Sequence, residues 1–205
     1  MKPTKVLTYI VIAAVILIAV FSLLNTGDSP EVESNYIEEI KAFRHAKDSF
    51  MRNDEKSPFI EQNVAFKSLN YFDVDESFKV KASVEAIPNG KIYELQTSDD
   101  KIQTFQAIAI LHFDIVGSHQ DLTLLQSAID GNFFLSFYDE TSAITTYGAG
   151  RYLEVDFKKG QQQVILDFNK AYNPYCAYTE GYSCPVPPPE NNISIAINAG
   201  EKNYE

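Results

Sequence analysis

FKVKASVEA, residues 78–86, is the stretch that decides the fold. Phe78, Val80, Ala82, Val84 and Ala86 fall on one face of an extended chain, and Lys79, Lys81, Ser83 and Glu85 on the other. Strand side chains alternate with period two, so this is a strand with one face in a core and one in water. Downstream, Pro88-Asn89-Gly90 is a turn signal and 91–97 returns as an extended segment, which predicts a hairpin with 78–86. Residues 102–116 carry a longer apolar run ended by Gly117, and further strands are expected at 121–126, 132–138, 150–157, 162–168 and 192–198. Turn signals separate them at Asp130-Gly131, Tyr147-Gly148-Ala149-Gly150 and Lys159-Gly160. Short strands at this spacing predict a mainly β domain, an antiparallel β-sandwich or barrel.

Upstream the periodicity changes. Tyr36, Ile40, Phe43, Lys47 and Phe50 recur every three or four residues, with Ile37 beside them, and predict a helix over 35–53 packed on the β domain. Glu38, Glu39, Lys41, Arg44 and Lys47 read as its solvated face. Ser57-Pro58 ends the helical region.

VLTYIVIAAVILIAVFSLL, residues 6–24, holds no charge, glycine or proline. About 20 such residues span the hydrocarbon of a bilayer, so this stretch predicts one transmembrane helix. Lys2 and Lys5 precede it, and Asp28, Glu31 and Glu33 follow it. The positive-inside tendency then places the N-terminus in the cytoplasm and the domain outside it, periplasmic or extracellular. No small-residue cleavage site follows, so an uncleaved signal-anchor is expected over a removed signal peptide. The expected organisation is an anchor over 1–25, a linker over 26–35 and one domain over 36–205. The formal net charge is -11. An acidic domain repels phosphate backbones, which argues against nucleic acid as a partner.

The C-terminal half carries TTYGAGRYLEVDF at 145–157, LDFNKAYNPYCAYTEGYSCPVPPPENN at 166–192 and INAGEKNY at 197–204. With KDSF, SPF and LNYF upstream, these words resemble the bacterial and archaeal family called domain of unknown function 1684, over roughly residues 36–204. The resemblance implies a fold and no established reaction.

Several clusters could carry chemistry. Cys176 and Cys184 are an even pair in a domain expected outside the cytoplasm, which predicts a disulfide, with a metal or redox pair as the rival. Tyr147 and Arg151 flank a glycine-rich turn. Arg151 could clamp a carboxylate ligand or form an internal pair with Asp139, Asp167 or Glu190, Asp167 being the foremost partner. Asp167 and Asn169 share a strand face, and with Tyr172, Asn173 and Glu190 they could line a binding pocket. Local backbone hydrogen bonding by Asp and Asn in an ordered loop is the competing role. His45, His112 and His119 show no helical ligand spacing, and His112 within its apolar run reads as an inward core residue. No cofactor and no metal centre are predicted, and no G-x-S-x-G, H-E-x-x-H or phosphate-loop motif is present. Three readings follow: a membrane-anchored envelope module that binds a protein or small molecule, a hydrolase-type enzyme using Arg151, Asp167, Asn169 and Cys176, and a metal or redox protein built on the cysteines.

Overall fold

The computed structural model describes residues 30–204, with side chains from residue 35 onward. The predicted membrane span over 6–24 lies outside them, and among the described residues no helix is long and apolar enough to cross a membrane. The chain is mainly β, antiparallel, with an N-terminal helix. Helix α1 (Pro30–Asn53) opens inside the stretch expected to be linker. Ser57 ends its downstream turn by accepting the Phe59 amide at 3.2 Å and donating to the Met51 carbonyl at 2.5 Å, which starts the one-turn helix α2 (Pro58–Glu61).

Strands β1 (Lys79–Ala86), β2 (Ile92–Gln96), β3 (Ile102–Ile115), β4 (Ser118–Ser127), β5 (Phe133–Phe134) and β8 (Gln163–Asp167) form one antiparallel sheet in the order β5-β4-β3-β1-β8, with β2 also on β3. Short strands β6 (Ser136–Phe137) and β7 (Arg151–Tyr152) pair separately. Tyr152 then exchanges backbone hydrogen bonds with Tyr172, just beyond β8, at 2.8 and 3.0 Å. The two ends of the large sheet are thus linked through β6, β7 and one bridge.

The expected hairpin between 78–86 and 91–97 does not form. β1 and β2 both pair with β3, along the same edge: Ser83–Ala86 opposite Ala109–His112, and Ile92–Gln96 opposite Ile102–Gln106. Pro88–Gly90 therefore carries one bent strand past its partner. The Ile87 amide bonds the Ile108 carbonyl and the Ala107 amide bonds the Lys91 carbonyl, each at 2.9 Å. A Cβ on Gly90 would lie 2.0 Å from the Ala107 carbonyl oxygen, so glycine is required there by contact. The predicted strand 150–157 is reduced to two residues, and 192–198 makes only a bridge from Asn192 to Tyr138.

The alternation along β3 buries Phe105, Ala107, Ala109, Leu111, Phe113 and Ile115. The last four pack with Ala82, Leu122, Leu124, Phe137, Leu166 and Phe168 into the main core, while Phe105 and Ala107 join Leu95 and Leu125 in a smaller cluster. The segment after β8 lacks ladders, so side chains tie it down. Asn191, fully buried, accepts the Thr123 amide at 2.7 Å and donates to the Thr123 and Ser136 carbonyls, each at 2.9 Å.

Candidate functional site

Helix α1 turns a mixed stripe toward the β domain. Ile40 and Met51 are buried, and Arg44, expected on the solvated face, and Lys47, read both on the periodic stripe and on the solvated face, point inward between them. Arg44 donates to the Phe72 carbonyl at 2.8 Å and stacks 4.5 Å from the Tyr71 ring centre. Lys47 meets the Glu201 carboxylate at 2.7 Å and stands 4.0 Å above the Tyr172 ring. A cavity of about 620 Å³ opens between the helix and the sheet edge, lined by Lys47. Phe43, Phe50, Ile165 and Tyr175 supply apolar wall, while Lys47, Glu154 and Tyr172 supply polar groups.

Each polar group is positioned locally. Asp167 ends β8 by accepting the Asn169 amide at 3.2 Å, which starts a single 3₁₀ turn, Phe168–Lys170. That turn brings Lys170 to 2.8 Å from Glu39 and 3.8 Å from Asp167, and the Lys170 contact lowers the Glu39 pKa. The bridge to Tyr152 fixes Tyr172, whose hydroxyl donates to Glu154 at 2.5 Å. Burial, then the Glu154 charge, raises the Tyr172 pKa, so the hydroxyl stays a donor. Burial likewise lowers the Lys47 pKa against the opposing pull of Glu201. Behind Lys47, Glu201 is buried and accepts the Asn173 amide at 3.0 Å and the Tyr178 hydroxyl. The arrangement suits an amphipathic guest: apolar body on the aromatic wall, polar end at Lys47, Glu154 and Tyr172.

The residues singled out in the sequence separate into groups. Asp167 and Tyr172 line the cleft. Arg151 is 0% exposed and cannot touch a ligand from solvent. Its guanidinium pairs with Asp139 at 2.8 Å, rather than with Asp167, and donates to the carbonyls of Ala199, Ile197 and Glu201 at 2.5, 2.9 and 3.2 Å. Asn169 is buried and clamps Asp75, accepting its amide at 3.0 Å and donating to its carbonyl at 2.7 Å. Asn173, also buried, donates from its side chain to the Lys202 carbonyl at 2.8 Å. Tyr147 is half-buried. Glu190 lies on another face, accepting the Tyr93 hydroxyl at 2.6 Å; burial, then this bond, pushes the Tyr93 pKa up to about 12. Cys176 and Cys184 are disulfide-bonded, so neither sulfur is a thiolate for metal or redox chemistry in this state.

Glu201, Tyr178 and Lys170 escaped the sequence reading, as did the place of Lys47 in the cleft. The i, i+4, i+7, i+11 spacing of Ile40, Arg44, Lys47 and Met51 was the available signal, masked by the charge of its middle members. His112 is corrected as well: it lies on the outer sheet face, hydrogen-bonded to Asp121 at 2.6 Å and Glu85 at 3.1 Å.

No curated protein matches the chain. The solution NMR structure of an uncharacterized protein of Haloarcula marismortui is similar, with 34% sequence identity over 85% of this chain and 97% of that one, and a TM-score of 0.64. Residues 64–202 match the family described as Protein of unknown function (DUF1684). The chain belongs to that family, as the GRYL, LDFN and AGEK words indicated.

Proposed function

We propose that this chain is a membrane-anchored binding module of the cell envelope, whose ligand is a small amphipathic molecule seated between α1 and the β8 edge. The observation that carries this reading is the cleft itself: about 620 Å³, walled by aromatic and aliphatic side chains, with a partly buried lysine over a tyrosine ring at its base. Ligand pockets combine such apolar walls with a few placed polar groups. The strands, read as a small barrel, enclose a core of packed side chains, whereas the helix–sheet cleft joins an aromatic wall to charged groups.

The anchor rests on residues 6–24 and the lysines before them. The Cys176–Cys184 disulfide supports an oxidising compartment, hence a domain outside the cytoplasm. A reporter active only outside the cytoplasm, fused after Glu205, is expected to work, and one active only inside is expected to fail. The opposite pattern would reverse the orientation. For the ligand, the full chain is screened by NMR against small amphipathic carboxylates, amines and alcohols. Shifts should concentrate on Phe43, Lys47, Ile165 and Tyr172. Hits that map around Tyr93 and Glu190, or a screen with no hits, would remove the reading.

A further inference from the structure

The outer face of the β3–β4 hairpin carries a second cluster, unconnected with the cleft. His112 and Asp114 sit two apart on β3, and His119 and Asp121 two apart on β4, so all four share one face. The register sets His112 opposite Asp121 and Asp114 opposite His119. One carboxylate oxygen of Asp121 lies 2.6 Å from Nδ1 of His112 and 3.5 Å from Nε2 of His119. The two rings are close to parallel, 10° apart, with centroids 6.3 Å apart. Ligand atoms of His112, His119 and Asp121 all fall within 4.8 Å of one another.

The far nitrogens are also engaged. Nε2 of His112 faces Glu85 of β1 at 3.1 Å, and Nδ1 of His119 faces Asp114 at 2.9 Å. Each imidazole thus directs one nitrogen to a common point and holds the other against a carboxylate. That is the outer-shell arrangement that fixes the tautomer and orientation of metal-bound histidines. Glu85, Asp114 and Asp121 also bring negative charge that a divalent cation would offset.

We propose that His112, His119 and Asp121 form a binding site for a divalent transition-metal ion of the zinc type, with Glu85 and Asp114 as orienting partners. Two imidazoles and one carboxylate suit zinc and its neighbours over magnesium or calcium, which prefer all-oxygen shells. Three protein ligands leave a position open to water or to a partner's side chain. The ion would replace the hydrogen bond from His112 to Asp121, so it competes with protons.

The test is titration of zinc chloride into the full chain near neutral pH, followed by imidazole NMR and by competition with a chelating dye. One ion should bind per chain, with the ring signals of His112 and His119 moving together and those of His45 unmoved. His112→Ala and His119→Ala should each weaken binding at least about tenfold, and Asp114→Asn about tenfold through ring orientation. His45→Ala should bind as the parent does. A zinc-dependent rise in melting temperature, present in the parent and lost in the His112 and His119 variants, is the second readout. Absence of saturable binding, or binding that survives loss of both His112 and His119, would overturn the proposal.

Discussion

A guanidinium with no exposed surface has to be neutralised where it lies, and Arg151 does this by gathering the C-terminal segment around itself. Its partner Asp139 is itself a hub, accepting the Thr141 amide at 2.8 Å, the Thr141 hydroxyl at 2.6 Å and the Ile197 amide at 3.2 Å. Removing the guanidinium strands a buried carboxylate and three carbonyls. Arg151→Ala should therefore cost about 3–5 kcal/mol in urea unfolding. A loss below about 1 kcal/mol, the value of an exposed pair, would show that Arg151 does not organise the segment. The need for an acidic partner was legible in the sequence, but its identity was not. Asp167 is closer in sequence to the NAGEK segment, yet it is used as a cap for the turn at Phe168. Local hydrogen bonding claimed it first. The cysteine pair was legible because the argument needed only compartment and count.

Among the elements, β3 accounts for most of what the sequence left unread. It is long enough to take two partners end to end on one edge, and a turn signal at Pro88-Asn89-Gly90 cannot report that. The histidines on the outer face of β3 and β4 do not follow helical ligand spacing. On a hairpin the relevant pattern is H-x-D on each arm, present as His112-Phe113-Asp114 and His119-Gln120-Asp121. The arms are joined by two residues, Val116 and Gly117, with φ of 49° and 73°. Both positive values are what a tight I′ hairpin turn requires, and Asn or Gly normally supplies the first. A β-branched residue there is strained, and Val116 is 64% exposed, so its side chain gains little in return. Val116→Asn should stabilise the domain by about 1 kcal/mol in urea unfolding. A destabilised variant would mean that Val116 contributes through a contact outweighing its backbone strain.

At the scale of the whole molecule, strand alternation and helix periodicity were enough to give a mainly β domain with an N-terminal helix. The cleft was not readable because its walls come from segments far apart: α1 around Phe43–Met51, the β8 end at Ile165–Asp167, and Lys170–Tyr175. The inward turn of Lys47 onto Glu201 and Tyr172, with Lys170 on Glu39, ties them together. The central claim is that this cleft, and not the buried Arg151 cluster, receives a ligand. Ala46 lines it from the helix, and the chain contains no tryptophan. The most direct test is the affinity of the strongest amphipathic fragment for the parent and for Ala46→Trp, read by the same NMR titration. The account predicts blue-shifted indole emission from a ring seated in the cleft, an unchanged melting temperature and binding weakened at least about tenfold, since filling a pocket removes the apolar contacts that hold the guest. Parental affinity in a variant whose indole is blue-shifted would contradict it.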